Sequence, residues 1–434
     1  MIELDTAQPR FWSRLEAFCA AAQPDPLLRR RVAAILEAVR RNGDPAVRRY
    51  TRRFDGVDIS PARLRVPAAE LEAAAAAAPP AQRQAFAEAI RCVRAFHRRT
   101  LPRGWRARNP QGATVGENYY PLRRVGINVP GGQVPLVSTV IMTTVLAQLA
   151  GVPEIAVCTP PDKNGATHPG LLAALALCGV TEVYRMGGIQ AMAAFAFGTA
   201  TVPAVDKLCG PGNAYTIEAK RQLYGLVGVD LLPGPSEVMV LCDDTANPRW
   251  VALDLLAQAE HGTGKERLYL VATRRALLRR VVAEVRRRAP AFSQHNRLAD
   301  VLRNNFLAIR VDDLAEAAAV ANYVAPEHLE LHVRPAAQEQ LAGKITTAGA
   351  ILLGAGTPTV LGDFTAGPSH TLPTGRTGRF FSGLRVADFL RRSSIVRYDA
   401  PARHRAAPVI AAFSALEQLP AHGQSLCARL QRWH

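Results

Sequence analysis

Apolar residues in the first 120 positions recur with the spacing of a helix. Val32, Ile35 and Val39 lie three or four positions apart, so they share one helical face. This amphipathic segment covers 29–41 and ends at Asn42-Gly43, a pair that commonly terminates a helix. The alanine-rich stretch 68–78 has the same helical character. We therefore predict a mainly helical first part of the chain.

From residue 125 onward, short apolar or β-branched runs alternate with helical segments. These runs lie at 125–129, 154–158, 183–186, 229–232, 237–242, 267–271, 306–311 and 350–354. Such alternation is typical of βαβ units and parallel sheets. The number of predicted strands is larger than a single sheet usually holds. The pattern therefore predicts an α/β protein with two such domains and a final helical segment.

Glycine-rich turns follow three of the predicted strands. They are PGG at 130–132, MGGIQA at 186–191 and CGPGNA at 209–214, each before a helical stretch. Such turns let the backbone approach a ligand and direct helix N-terminal N–H groups at an anion. The common nucleotide signatures GxGxxG and GxxxxGK[ST] do not occur. Together the turns indicate a nucleotide site in this part of the chain.

The net charge of +17 raises the question of nucleic-acid binding. Nearly all of the excess is arginine, spread along amphipathic helices such as 29–41 and 274–288. No zinc finger, aromatic-basic RNA motif or basic zipper accompanies it. We therefore expect no nucleic-acid partner, although a regulatory or nucleic-acid-binding protein on an α/β scaffold is the competing class.

The seven cysteines are scattered without a CxxC pair, which is typical of reduced thiols in a cytoplasmic protein. The chain has no run of about 18 apolar residues, so we predict no membrane span. The first 25 residues lack the basic region and apolar core of a secretory signal. We expect a cytoplasmic protein without a membrane partner.

The stretch PEHLELH at 326–332 holds two histidines, His328 and His332, four positions apart. They lie on the same side of a helix or a strand, so they could form a metal pair. Alternatively, Glu327 and His328 could be an acid–base pair. LELHV alternates like a strand, where a lone histidine such as His332 is more often structural.

Three further segments carry polar residues that could bind a metal ion or take part in catalysis. Each alone fits a helix cap or a solvated loop, but together they offer nitrogen and oxygen donors without cysteine, a set suited to Zn²⁺. The segment 257–264 places two of these residues one helical turn apart. The donors are Gln258 and His261, Asp363 and His370, and Glu417 and His422.

A collinear series of blocks across nearly the whole chain resembles the histidinol dehydrogenase family. The blocks are VPGGQVPLVST, GGIQAMAAFAFGT, GPGNAY, GPSEV, LLAQAEHG, APEHLEL, GDFTAGPSHTLPTG and a late AH. The resemblance implies a homodimer with shared active sites, one zinc ion per chain, and NAD as cofactor. It implies two successive oxidations of histidinol, through the aldehyde, to histidine. A related dehydrogenase of another small polar alcohol, such as a sulfonated propanediol, is the alternative.

The resemblance also implies roles for individual residues. The acid–base pair would be Glu327 and His328. The zinc ligands would be Gln258, His261, Asp363 and His422, and the dinucleotide contacts Asn128, Gln190 and Asn213. The substrate contacts would be Ser236, Gln258, His261, His328, Asp363, His370, Glu417 and His422. His332 is interpreted as structural. A cysteine nucleophile at Cys158 or Cys209 is a further hypothesis for aldehyde oxidation.

We divide the chain as two Rossmann-like parallel-sheet domains with helical appendages. Residues 1–25 are a helical arm, and 26–124 with 239–380 form the first domain, which carries most metal and catalytic residues. Residues 125–238 form the second, dinucleotide-binding domain. Residues 381–434 are a helical appendage that contributes to the site.

Three positions depart from the family pattern. Asn128 stands where the family often has tyrosine, and Gln133 stands where a small residue or lysine is usual. Gln418 replaces the glycine of a Glu-Gly-Leu segment. The first two lie beside the PGG turn, so they bear on cofactor and substrate contacts.

Overall fold

The computed structural model describes residues 1–20, 26–131, 135–261, 263–295 and 297–430. Gln133 lies outside these ranges. The strands are β1 Ile2–Asp5, β2 Trp105–Arg108, β3 Thr114–Pro121, β4 Arg124–Asn128, β5 Glu154–Thr159, β6 Glu182–Arg185, β7 Lys207–Cys209, β8 Gly228–Val229, β9 Glu237–Cys242, β10 Arg267–Ala272, β11 Phe306–Arg310, β12 His328–His332, β13 Ala350–Leu353 and β14 Leu390–Arg397.

The α-helices are α1 Phe11–Cys19, α2 Pro26–Asn42, α3 Asp44–Phe54, α4 Pro61–Leu64, α5 Ala68–Ala77, α6 Pro80–Arg98, α7 Val137–Leu149, α8 Pro169–Leu177, α9 Gly188–Phe197, α10 Ala214–Leu223, α11 Pro248–Ala259, α12 Arg275–Arg288, α13 Leu298–Asn304, α14 Leu314–Val324, α15 Pro335–Ala342, α16 Thr359–Phe364, α17 Ala400–Leu416 and α18 Pro420–Cys427. Short 3-10 helices cover Ala289–His295, Thr377–Arg379 and Val386–Phe389. Within the described ranges, every helix is too short or too polar to traverse a lipid bilayer.

A six-stranded parallel sheet has the order β1-β11-β10-β9-β12-β13. Helices α1 and α14 cover one face, where Phe11, Leu15 and Val320 pack on the strands. Helices α11 and α12 cover the other face. Because both faces are buried, β9, β10 and β11 are almost continuously apolar, as is usual in parallel sheets, whereas β12 carries three polar residues on one face.

A second parallel sheet has five strands in the order β6-β5-β4-β7-β8. Helices α7 and α8 cover one face together with α5 and α6. Helices α9 and α10 cover the other, and Val32, Ile35 and Val39 of α2 pack there. The helices of 26–98 therefore pack on this sheet, whereas the predicted division joined 26–124 to 239–380.

Both predicted helical appendages contain a strand. β1 lies at the edge of the six-stranded sheet beside β11. β14 pairs antiparallel with β3, which pairs with β2, in a separate three-stranded sheet. Helices α17 and α18 follow β14 and pack on each other. The α/β class is as predicted, while these edge elements differ from expectation because their pairing is made by distant segments.

A buried ion pair fixes the turn at 209–214. The Lys220 ammonium contacts the Asp230 carboxylate, and both side chains are fully buried. Lys220 also donates to the Gly210 carbonyl at 2.9 Å, and Asp230 accepts from the Gly210 N–H at 2.7 Å. Gly210 has φ +101°, and a Cβ there would lie 2.2 Å from the Asn128 carbonyl oxygen. The turn therefore requires glycine and is held by the pair.

Lys220→Met should destabilise the protein by about 3–5 kcal/mol, because it leaves the Asp230 carboxylate buried without its counter-charge. Urea unfolding followed by circular dichroism would measure the loss. Arg91→Met, which removes an exposed pair with Glu88, is the control and should leave the midpoint unchanged. Equal midpoints for Lys220→Met and wild type would contradict this role of the pair.

Candidate active site

The predicted site stretch forms β12, an inner strand of the six-stranded sheet. Leu329 and Leu331 pack into the core on one face. His328, Glu330 and His332 alternate with them and therefore point to the opposite face. His328 is the first strand residue and pairs with Val238 of β9. The site thus begins at the amino ends of β12 and β9.

Glu327 is a buried carboxylate held by the start of β9. Its Oε2 accepts a hydrogen bond from the Glu237 backbone N–H at 2.8 Å, and the Ser236 hydroxyl bonds it as well. Burial raises the pKa of Glu327 well above its ordinary range, and the Glu237 and Asp363 carboxylates raise it further. The two hydrogen bonds oppose this shift, because they favour the ionised form.

His328 lies between two carboxylates. Its Nε2 is 3.9 Å from Glu327 Oε1 and 3.9 Å from Asp363 Oδ1. Burial, together with smaller effects of nearby His370 and His261, lowers the pKa of His328 to about 3. The imidazole is therefore neutral at neutral pH and free to accept a proton.

Gln258 and His261 come from the C-terminal end of α11. Gln258 is buried, and His261 is exposed directly beyond the helix. His261 Nδ1 lies 3.1 Å from the Gln258 carbonyl oxygen and 3.5 Å from its Nε2. Since Nδ1 is engaged, Nε2 is the ring nitrogen left to bind a ligand.

Asp363 and His370 come from α16 and the loop that follows it. Burial raises the pKa of Asp363 to about 6; His261 opposes this shift, and Glu330 adds to it. Burial lowers the pKa of His370 to about 4, with His261 lowering it as well. The charge of His261 affects the pKa of both groups, which places Asp363 and His370 near His261.

The loop of His370 joins the two parallel sheets. His370 Nε2 lies 3.0 Å from the Ser138 hydroxyl, and Ser369 donates to the Met142 carbonyl at 3.2 Å. Ser138 and Met142 belong to α7, which follows β4 of the five-stranded sheet. The amino edge of the six-stranded sheet therefore meets the carboxyl edge of the five-stranded sheet at the site.

The three expected dinucleotide residues lie at that carboxyl edge. Gln190 is 1% exposed, and its Oε1 has no partner among the described residues. Asn213 caps α10 by accepting from the N–H groups of Tyr215 and Thr216. The Asn128 amide donates to the Pro211 carbonyl at 2.6 Å, so it shapes the glycine turn. Its direct contact with a dinucleotide stays a prediction.

Glu417 and His422 lie apart from this group. Both are exposed, and α18 packs chiefly against α17. The described part of a single chain therefore brings together seven of the expected site residues without these two. The seven are Ser236, Gln258, His261, Glu327, His328, Asp363 and His370.

The cysteine hypothesis does not fit the structure. Cys158 and Cys209 are fully buried in the five-stranded sheet. Burial raises the pKa of both thiols far above neutrality. Both stay protonated and enclosed, so neither is a nucleophile here.

Sequence reasoning missed Ser138, Asp254 and Glu330. Ser138 holds His370, while Asp254 and Glu330 form a buried cluster with His332. The spacing of Asp254 and Glu330 from other expected site residues could have identified these two. Asp254 stands one helical turn before Gln258, and Glu330 shares the strand face of His328.

Comparisons with known proteins identify the family of this chain. The family described as "Histidinol dehydrogenase" matches residues 21–430. A histidinol dehydrogenase of Deinococcus radiodurans is 45% identical over 92% of this chain and 90% of its own length. One from Synechococcus is 41% identical over 96% of both chains.

The fold is also similar to that of a solved structure. A crystal structure of histidinol dehydrogenase from Elizabethkingia anophelis superposes with a TM-score of 0.94 at 32% identity, covering 99% of this chain and 98% of the other. The α/β architecture and the resemblance of the sequence blocks are thereby confirmed. The chain belongs to the histidinol dehydrogenase family and is a dehydrogenase of that family.

Proposed function

We propose that this protein oxidises L-histidinol to L-histidine, through the aldehyde, in two NAD-dependent hydride transfers. The observation that carries the proposal is His328, a buried neutral imidazole flanked by the carboxylates of Glu327 and Asp363. The alternative substrate, a sulfonated propanediol, is not favoured, because the similar proteins that match nearly the whole chain are histidinol dehydrogenases.

The donor set fits a zinc ion. Gln258 offers an amide oxygen, His261 the imidazole Nε2, and Asp363 a carboxylate, which are ligands that zinc accepts. When bound, the zinc ion would serve as a template that orients the substrate's polar groups. Three ligands leave a further position, which we assign to His422.

His328 serves as the base in both oxidations. In the first, it takes the hydroxyl proton while the carbon-bound hydrogen leaves as hydride to NAD⁺, giving the aldehyde and NADH. In the second, after it has released that proton to water, it takes the remaining hydroxyl proton of the singly ionised aldehyde hydrate while the carbon-bound hydrogen leaves as hydride, which a second NAD⁺ would accept, giving the carboxylate. A neutral imidazole is required at the start of each step.

Glu327 serves in the hydration between the two oxidations. Water adds to the aldehyde carbon and leaves the singly ionised hydrate on which the second oxidation acts, because Glu327 in its ionised form takes one of the water protons. The hydrogen bonds from Ser236 and the Glu237 N–H favour that ionised form. The same two bonds also orient the carboxylate beside His328.

Gln190 and Asn213 would hold the dinucleotide. The buried Gln190 Oε1 without a partner among the described residues fits a donor from a bound nucleotide. Both residues lie at the carboxyl edge of the five-stranded sheet, where open α/β sheets usually bind ligands. This edge faces His328 across the His370–Ser138 contact.

The separation of His422 and Glu417 from the other residues supports a shared site. Both would enter the active site of a second copy of the chain. The helices that carry them expose a large apolar surface, which in soluble proteins marks an interface. Its residues are Val409, Phe413, Leu416 and Leu419.

His261→Ala and His422→Ala should each lose bound zinc and activity, because each removes a proposed ligand. Metal content per chain and NADH formation from histidinol at neutral pH would be measured together. A chelator should abolish turnover of the wild type, and added zinc should restore it. The control His404→Ala, on the exposed side of α17, should keep both. Full zinc and full rate in His422→Ala would remove that residue from the ligand set.

Mixing inactive His328→Ala with inactive His422→Ala should restore about one quarter of the wild-type rate after subunit exchange, because half of the dimers are mixed and each then has one complete site. Exchange would be followed with two affinity tags. The control is each variant exchanged with itself, which should stay inactive. Absence of recovery in tagged mixed dimers would show that each chain builds its own site.

Glu327→Gln should cut histidine formation by about 10²–10⁴-fold while largely sparing the first oxidation, because it removes the base for hydration. With enzyme in excess over histidinol, the variant should form one NADH and stall, whereas the wild type forms two. His328→Ala should slow both steps. The exposed Glu339→Gln is the control. Equal slowing of both NADH phases in Glu327→Gln would contradict the separate roles.

A further inference from the structure

We propose that the buried cluster of Asp254, Glu330 and His332 is a positioning device that sets the affinity and geometry of the metal site. The inference rests on the proposed function, since it concerns the zinc ligands Gln258 and Asp363. None of the three residues was expected to act in the reaction. Their contacts join the three elements that carry the site.

The cluster lies directly behind the site on β12. Glu330 and His332 follow His328 at every second position, so all three share one strand face. The Glu330 and His332 side chains are fully buried. Asp254 reaches them from α11, one helical turn before Gln258.

Glu330 is the centre of the cluster. Its Oε1 accepts from both the backbone N–H and the hydroxyl of Thr359, each at 2.7 Å. Its Oε2 lies 3.1 Å from His332 Nε2. Asp254 hydrogen-bonds the same carboxylate, and its Oδ2 lies 3.5 Å from His332 Nε2. One buried carboxylate therefore ties α11 and α16 to β12.

These contacts fix the positions of the proposed metal ligands. Thr359 is the first residue of α16, and Asp363 follows one turn later in the same short helix. Asp254 and Gln258 have the same relation in α11. Outer residues that hold metal ligands typically contribute 10–100-fold, as an order of magnitude, to metal affinity or activity. Loosening either helix would therefore move a ligand away from His261.

A second metal site is the rival reading of the same residues. One ligand atom from each of the three lies within 4.8 Å of the others. However, both Glu330 oxygens and His332 Nε2 already have hydrogen-bond partners within the fold. Burial and the Glu330 carboxylate raise the pKa of Asp254, which favours a protonated Asp254 that donates to Glu330. Both Glu330 oxygens and His332 Nε2 are thus satisfied within the fold, while His332 Nδ1 is buried and has no hydrogen-bond partner among the described residues.

The test compares zinc affinity in Asp254→Ala and Asp254→Asn. The alanine variant should bind zinc about 10–100-fold more weakly, because α11 loses its tie to Glu330. The asparagine variant should stay near the wild type, because its amide can donate to Glu330. Chelator competition gives the zinc affinity, and Co²⁺ absorption reports the ligand geometry, which should change in Asp254→Ala alone.

Two further variants separate positioning from general stability. Thr359→Val removes one hydrogen bond to Glu330 and should weaken zinc binding less than Asp254→Ala does. Asp243→Ala removes another buried carboxylate of the same sheet, whose partners Thr245 and Arg334 hold no site residue. It should lower the melting temperature without changing zinc affinity.

Several results would overturn the positioning role. One is unchanged zinc affinity in both Asp254→Ala and Thr359→Val. Another is a wild type with two metal ions per chain that falls to one in Asp254→Asn, which would establish a second metal site. Zinc uptake by the wild type and its loss in His261→Ala test the proposed function separately, while the ratio of variant to wild-type affinity tests the cluster.

Discussion

The burial of β12 on both faces is the constraint on which the site depends. An inner strand of a parallel sheet has no access to water, so each polar side chain on it needs a partner inside the protein. Leu329 and Leu331 fill one face, while His328, Glu330 and His332 place three ionisable groups on the other. Their partners come from α11 and α16, the helices that bear the proposed metal ligands. The contacts that satisfy the polar residues of β12 therefore also position the proposed site residues.

The same burial determines the protonation of the proposed acid–base groups. Desolvation keeps His328 neutral and opposes ionisation of Glu327, so the base is ready while the carboxylate depends on its hydrogen bonds. The His370–Ser138 contact brings this pair to the carboxyl edge of the five-stranded sheet. A substrate between the two edges would thus have proton acceptors on one side and the dinucleotide on the other.

The sequence predicted most strands of the two parallel sheets but not β1, β7 or the antiparallel sheet of β2, β3 and β14. Inner strands such as β9 and β10 are continuous apolar runs, a signal that each segment carries by itself. β1 and β14 are short or arginine-rich edge strands, formed because a distant strand offers its hydrogen bonds. The packing of α2 on the five-stranded sheet is also long-range, since an amphipathic helix shows that one face is buried but not against which sheet.

The proposed site residues also divide into those that a local pattern predicts and those that depend on long-range contacts. Glu327, His328, Gln258 and His261 lie in short local blocks, so sequence resemblance could propose roles for them, and these roles stay predictions. Asp254 and Glu330 act through contacts between α11, α16 and β12, which no local pattern contains. Glu417 and His422 are a further case, because both are exposed and lie apart from the other proposed site residues of their own chain. Gln258, His261 and Asp363 lie near one another, whereas His422 is exposed elsewhere, so the four proposed ligands would not meet within one chain. We propose that the apolar face of α17 and α18 is the surface through which a second copy completes the site.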